Sequence, residues 1–149
     1  MKYFFLFSLL LFLDLFSKYM VTSFPPNSVT LLPFLDLIVT NNSGIAFSIF
    51  STSGDFIQLM LILIILCALL FLFNEFRNSR IPIQKTALIF ILAGGVGNFI
   101  ERVYRGAVTD FLHLRIETFS FFIFNLADLF ISVGAVVIIF QWIRSQKNI

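Results

Sequence analysis

Cysteine and histidine are nearly absent from this chain of 149 residues, which has one of each. The lone Cys67 excludes an internal disulfide, and one histidine cannot build a histidine-based zinc site. No serine or cysteine nucleophile suggests itself beside that histidine. We therefore predict no metal site and no cofactor, and nucleophilic catalysis of the serine or cysteine type is disfavoured.

Charged residues are scarce as well: they form 12% of the chain, whereas hydrophobic residues form 59%. Both fractions lie outside the range usual for soluble domains and indicate a protein of the lipid bilayer. The net charge of +2 is small and the basic residues are scattered, which disfavours nucleic acid as a partner. We expect contact with membrane lipid, and no obligate protein partner is evident.

Four apolar stretches have the length that a bilayer requires. They predict spanning helices at about residues 3–22, 56–73, 84–100 and 121–143. The first begins like a secretory signal peptide, but no small-residue cleavage site follows and Asp14 interrupts it, so we interpret it as a retained helix. The predicted fold is one integral membrane domain over residues 1–149, an all-α bundle of four transmembrane helices with a small β-containing segment outside the membrane.

Two polar segments, residues 23–55 and 101–120, connect these spans on one side. The first contains three prolines and then "LPFLDLIVTNNSGIAFSIF", which is rich in β-branched and aromatic residues. This pattern predicts a short sheet or hairpin at the membrane surface. The second segment is too polar to cross the bilayer, and we expect it to pair with the first.

Basic residues are more numerous on the opposite side of the predicted membrane. That side carries Lys2, Arg77, Arg80, Lys85, Arg144 and Lys147. The side with the two polar segments has fewer basic residues and every acid except Glu75. Because cytoplasmic loops carry the excess of lysine and arginine, we predict that both termini are cytoplasmic and that the polar segments are extracytoplasmic.

Polar residues inside the spans fall into two groups with helical spacing. Asp14 and Lys18 lie four residues apart, which predicts a structural ion pair on one helix face, with contact to a substrate as the alternative. Asn98, Glu101 and Arg102 also share a face at the outer end of the third span. Such residues either meet lipid headgroups or belong to a functional site.

Asp110 and Asp128 are expected at the same depth near the outer face, the first just beyond the third span and the second in the fourth. Asn125 lies three residues before Asp128 and can orient it or satisfy a backbone group. Two buried carboxylates repel one another and share a proton, so such a pair offers an acid and a base at once, as in aspartic proteases. Alternatively, each aspartate caps a helix or forms a salt bridge.

Five short blocks of the chain occur in the order found in a known family. They are "DLFSK" at 14–18, "NSGIAFS" at 42–48, "GNFIER" at 97–102, "GAVTDF" at 106–111 and "FNLAD" at 124–128. With these blocks the chain resembles the bacterial lipoprotein signal peptidases, also called signal peptidase II, over nearly its whole length. The resemblance implies an aspartic endopeptidase of the cytoplasmic membrane, with Asp110 and Asp128 as its catalytic pair.

The resemblance also implies a substrate and roles for other residues. The family removes the signal peptide from diacylglyceryl-modified prolipoproteins, on the N-terminal side of the lipidated cysteine. The residues that match polar family positions around the site, for support or substrate binding, are Asn42, Asn98, Arg102 and Asn125. Asp14 and Lys18 match structural positions.

Glu101 departs from the family, which usually has an aspartate there, so a fixed pairing with Arg102 is not carried over. We expect Glu101 to be a structural polar residue. The outer segment "LPFLDLIVTNNSGIAF" can cradle the substrate, with Gly44 allowing its backbone to bend close to the peptide.

Three other functions compete with this interpretation of the polar residues. Intramembrane acids also occur in proton-coupled transporters, but those lie near the midplane between repeats, and no repeat is present here. The prepilin and presenilin proteases need a G-x-G-D motif, where this chain has "GVGN". An inactive scaffold remains compatible with the sequence, and the identity of the general base is left open.

Overall fold

The computed structural model describes residues 1–26, 28–44, 55–116 and 119–146. Its helices are α1 (Lys2–Ser23), α2 (Asp55–Asn78), α3 (Pro82–Arg105) and α4 (Leu126–Gln146). Its strands are β1 (Val29–Leu32), β2 (Leu35–Asn42), β3 (Val108–Ile116) and β4 (Phe119–Phe124). The predicted combination of four helices and a small β-containing segment is confirmed.

Helix α3 is the centre of the bundle and packs against α1, α2 and α4. Small residues permit the close approach of α3 to α4. A Cβ atom on Gly94 would overlap the carbonyl oxygen of Ala127, and one on Gly134 would overlap that of Ala87. Close contact between glycine-containing faces is a common basis of helix association in membranes, where van der Waals packing replaces the hydrophobic effect.

The other helices present apolar side chains outward. All four are long and apolar enough to cross a membrane, and α2 and α4 bury little of their surface within the protein. Their exposed residues include Leu63, Phe71, Val136 and Phe140. A surface of this kind is stable against hydrocarbon rather than water. The chain is therefore a multi-pass membrane protein.

The four strands form one antiparallel sheet in the order β1-β2-β3-β4. The pairing of β2 with β3 joins the two polar segments, as predicted, with Thr40 opposite Asp110 and Asn42 opposite Val108. Gly106 ends α3 in the left-handed conformation, with φ of 70°, and turns the chain into β3. Glycine adopts this conformation without steric cost.

The start of the fourth span differs from the prediction. Helix α4 begins at Leu126 rather than near residue 121, because residues 119–124 form β4 and pair with β3. The stretch "FSFFIF" is apolar enough to extend a membrane span, and only its pairing partner makes it a strand. Helix α3 likewise continues to Arg105, so residues 101–105 are helical.

Asp14 and Lys18 hold three helices together. Asp14 is 0% exposed and Lys18 is 3% exposed. Lys18 Nζ lies 2.9 Å from Asp14 Oδ2. The other carboxylate oxygen of Asp14 accepts a hydrogen bond of 3.0 Å from the backbone N–H of Ala127, at the start of α4. Lys18 also donates to Asn98 Oδ1 on α3, at 2.6 Å. The predicted ion pair is therefore present, and it links α1 to α3 and α4.

Replacement of Gly97 by alanine tests this packing. A Cβ at Gly97 would overlap the Asp14 carboxylate, which is fixed by its bonds to Lys18 and Ala127. We expect Gly97→Ala to lower the free energy of unfolding by about 2 kcal/mol, as overpacking of a core does. Thermal unfolding in detergent measures the change.

Gly95→Ala is the matched control, because its added methyl would meet only the end of the flexible Leu69 side chain. We expect the control to unfold close to the parent. Equal stability of the parent and Gly97→Ala would contradict the tight contact between α1 and α3.

Candidate active site

A cavity of about 950 Å³ lies between the sheet and helices α2, α3 and α4. Six of the seven residues predicted for the catalytic pair or its surroundings line it, namely Asn42, Gly44, Asn98, Arg102, Asp110 and Asp128. The seventh, Asn125, is fully buried and bonds to both aspartates. Residues distant in sequence are thus brought together at the sheet end of the bundle.

Asp128 occupies the first turn of α4 and is held by a reciprocal capping arrangement. Asn125 is the N-cap, and its Oδ1 accepts a hydrogen bond of 3.0 Å from the Asp128 N–H. In return, Asp128 Oδ2 accepts a bond of 3.2 Å from the Asn125 N–H. This is the capping box geometry, and the partial positive charge of a helix N-terminus favours a carboxylate there.

Asp110 lies on β3, is 4% exposed, and receives two amide donors. Asn42 Nδ2 on β2 donates to Asp110 Oδ2 at 3.0 Å, and Asn125 Nδ2 donates to Asp110 Oδ1 at 2.7 Å. Burial raises the pKa of Asp110 to about 6, with repulsion from Asp128 acting in the same direction and the two amide donors opposing it. Asp110 thus keeps its proton to a higher pH than an ordinary aspartate does.

The same Asn125 side chain connects the two aspartates. Its Oδ1 binds the backbone of Asp128, and its Nδ2 binds the carboxylate of Asp110. One fully buried amide therefore sets the position of strand β3 relative to the start of α4. The predicted role of Asn125 in orienting Asp128 agrees with these contacts, and its bond to Asp110 was not foreseen.

Asn98 and Arg102 reach the cavity from α3. Asn98 Nδ2 donates to Asp128 Oδ1 at 2.9 Å. Arg102 donates to two successive backbone carbonyls at the end of the outer segment, those of Ser43 (3.0 Å) and Gly44. Gly44 N in turn donates to Asn42 Oδ1 at 3.0 Å. Arg102 therefore holds the backbone just beyond β2 against the site.

Glu101 has contacts that explain its longer side chain. Its carboxylate accepts bonds from the N–H and the hydroxyl of Thr109, at 3.0 and 2.6 Å, and from Arg105 at 3.0 Å. It also lies 3.7 Å from Lys18 Nζ. Glu101 thus joins the end of α3 to the residue before Asp110, and Arg102 is engaged elsewhere. Among the ion pairs of the described residues, Glu101 joins Lys18 and Arg105 rather than Arg102.

Two neighbours of the site were missed by the sequence analysis. Gln58 on α2 donates to the carbonyl of Ser43, and Thr109 is 1% exposed between Glu101 and Arg105. Gln58 was detectable as a lone polar residue near the start of an apolar span. Thr109 belongs to the block "GAVTDF". The rest of the predicted cradle, from residue 45 onward, lies outside the described residues.

Among the residues that the structure describes, no group of three or more histidine, cysteine or acidic side chains is placed to hold a metal ion. The cavity instead offers two carboxylates connected by one amide. Where one of two such carboxyls keeps its proton and the other is ionised, the pair can supply both a proton donor and a proton acceptor.

Comparisons with known proteins agree on one family. A family model described as signal peptidase (SPase) II matches residues 6–144. A lipoprotein signal peptidase of Mesorhizobium japonicum is 37% identical over 91% of this chain and 84% of its own length. One from Bartonella tribocorum is 36% identical over 91% of this chain and 85% of its own length.

Two solved structures, each described as a bacterial membrane enzyme, have the same fold. One has a TM-score of 0.82 at 28% identity and covers 99% of this chain and 90% of its own. The other has a TM-score of 0.77 at 29% identity and covers 95% and 92%. With the family model spanning most of the chain and relatives above one third identity, this protein belongs to the signal peptidase II family.

Proposed function

We propose that the protein is an aspartic endopeptidase that removes the signal peptide from diacylglyceryl-modified prolipoproteins by cleaving on the N-terminal side of the lipidated cysteine. The observation that carries this proposal is the arrangement of Asp110 and Asp128, which line one cavity and are bonded to the same buried Asn125. Membership of the family supports the substrate class.

The proposed reaction uses both aspartates and one water molecule. The Asp128 carboxylate takes a proton from water while the water oxygen bonds to the scissile carbonyl carbon, and Asp110 gives its proton to the carbonyl oxygen. A gem-diol results. When it collapses, the C–N bond breaks, the proton on Asp128 passes to the leaving nitrogen, and a gem-diol hydroxyl proton returns to Asp110. Both carboxyls then regain their initial states.

The walls of the cavity suit a substrate that arrives through the bilayer. Leu61, Ile64 and Ile65 line it from α2, and Ile131 lines it from α4. These side chains lie on helices that cross the membrane, so the apolar part of a signal peptide can pack against them while its cleavage site meets the aspartates. The apolar wall and the two aspartates together suit an apolar peptide whose scissile bond lies near its end.

We further propose that the protein resides in the bacterial cytoplasmic membrane with both termini in the cytoplasm and the site near the extracytoplasmic face. Basic residues support this orientation. Lys2, Arg77, Lys85 and Arg144 lie at helix ends remote from the sheet. Cytoplasmic ends of membrane proteins carry such residues in excess.

The segment after β2 is proposed to hold the substrate over the aspartates. Its described end, Ser43 and Gly44, is fixed by Arg102, and Gly44 lines the cavity. A backbone held this close to the carboxylates can bond to an extended peptide. Arg102 and Asn42 then act through the position of this segment, and Asn42 also donates to Asp110.

The first prediction from the proposed function concerns the catalytic pair. Asp110→Asn and Asp128→Asn should each reduce cleavage of a purified diacylglyceryl-modified prolipoprotein by at least about a hundredfold, the lower range of general acid and base contributions. Gel-based cleavage assays with variants of confirmed folding measure the effect. Glu75→Gln, which changes an acid of α2 outside the cavity, should retain the activity of the parent. Substantial turnover by either aspartate variant would remove that residue from the pair.

The second prediction concerns pH. Because the reaction needs the proton of Asp110, and burial raises the pKa of that carboxyl to about 6, kcat/KM should fall as pH rises above that value. The expected fall is about tenfold per pH unit. Asn42 donates to the ionised form of Asp110, so its removal in Asn42→Ala should raise this pKa and move the alkaline limb to higher pH. A limb that moves to lower pH would contradict the assignment.

The third prediction tests the support of the outer segment. Lysine at position 102 lacks the two parallel donors with which Arg102 binds Ser43 and Gly44. We expect Arg102→Lys to lower kcat/KM about tenfold, the effect of one charged hydrogen bond. Arg105→Lys is the matched control, because its partner Glu101 remains within reach of an ammonium. Equal losses in both variants would show that the backbone contacts are not specific.

A further inference from the structure

Lys18 lies where α1, α3 and the start of α4 meet, close to the aspartates but outside the reacting pair. It is 3% exposed. Its ammonium donates to Asp14 Oδ2 at 2.9 Å and to Asn98 Oδ1 at 2.6 Å, with Glu101 Oε2 at 3.7 Å. Asp14 accepts one of the three N–H donors of this buried ammonium, and Asn98 accepts another.

The bond to Asn98 determines which way the amide of that residue points. An ammonium group only donates hydrogen bonds, so it must face the amide oxygen. Asn98 Nδ2 then points to Asp128 Oδ1, at 2.9 Å. A reversed amide would place its NH₂ against the ammonium and its oxygen against the carboxylate, and both contacts are repulsive. Lys18 therefore keeps a donor directed at Asp128.

The Asn98 donor fixes the position of the Asp128 carboxylate from the α3 side, through a hydrogen bond to a carboxylate oxygen. The Asn125 N–H holds the other carboxylate oxygen at the start of α4. Besides Lys18, the charged groups around Asp128 are Asp14 on α1, Glu101 and Arg102 on α3, and Asp110 on β3. Of these elements, only α3 supplies a direct side-chain donor to Asp128, and it does so through Asn98.

We propose that Lys18 is a positioning residue for catalysis: through Asn98 it directs an amide donor at Asp128, the carboxylate that accepts the proton of the attacking water. This inference rests on the proposed function. It assigns to the ion pair of α1 a role in the reaction as well as in packing. Asp110, on the buried strand, then holds the proton.

A simple Lys18→Met variant would leave Asp14 charged and unpaired in the bundle, which destabilises the folded state. The test therefore uses the pair variant Asp14→Asn/Lys18→Met, which removes both charges and retains an oxygen for the Ala127 N–H. Its thermal unfolding in detergent is compared with that of the parent. Cleavage of a diacylglyceryl-modified prolipoprotein is then measured between about pH 4 and pH 8, the range around ordinary and raised carboxyl pKa values.

We expect the pair variant to fold and to lose about tenfold in kcat/KM, the effect of one charge-assisted hydrogen bond. The loss should appear in kcat rather than in KM across this pH range, because Lys18 acts on Asp128 through Asn98 and not on the bound peptide. Parent kcat in the pair variant, or a loss confined to KM, would overturn the proposal and leave Lys18 a purely structural role.

A double-mutant cycle with Asn98→Leu gives a second readout. If Lys18 acts through Asn98, the triple variant should be no less active than Asn98→Leu alone, because the relay is already broken. Losses that multiply would overturn the relay. These outcomes are separable from failure of the proposed function, since that failure appears as retained cleavage in Asp110→Asn or Asp128→Asn, or as no cleavage by the parent.

Discussion

Burial of charge among apolar helices is the constraint on which the rest of this structure depends. A charged side chain inside a membrane protein requires a partner, and each partner must itself be satisfied. Here the requirement is met by a continuous chain of contacts from Asp14 through Lys18 and Asn98 to Asp128. Among the buried side chains that the structure describes, none of the polar atoms lacks a hydrogen-bond partner. Packing and the polar site are therefore parts of one network.

The start of α4 shows how closely the two are joined. The first N–H groups of a helix have no partners within the helix. In α4 the N–H of Ala127 is satisfied by Asp14 from α1, and that of Asp128 by Asn125. The groups that complete the helix are thus the ones that place Asp128 in the cavity. A change that loosens the contact between α1 and α4 would also displace a proposed catalytic carboxylate.

The sheet holds the other proposed catalytic residue, Asp110, in place. β3 carries Asp110 and is held on one side by Asn42 of β2 and at its start by Glu101 of α3, through Thr109. A glutamate reaches both donor groups of Thr109 while it also contacts Arg105. Glu101 is therefore accommodated through Thr109, the residue before Asp110. It does not alter the partners of Arg102, which are backbone carbonyls.

Four spans and two polar segments that pair could be read from the sequence alone, because hydropathy and charge are local properties. The polar residues around Asp110 and Asp128 were assigned through five short blocks that resemble a family, whereas helical spacing by itself left structural alternatives open. The Asp14–Lys18 pair was predictable from local spacing, since four residues span one helical turn. Local properties failed at residues 119–124, where an apolar stretch became β4 because β3 was available as a partner. Only the tertiary structure decided that Asn125 bonds to both aspartates, that Asn98 links Lys18 to Asp128, and that Thr109 engages Glu101. Those contacts join side chains on different elements, and their existence depends on how the elements pack rather than on any spacing along the chain.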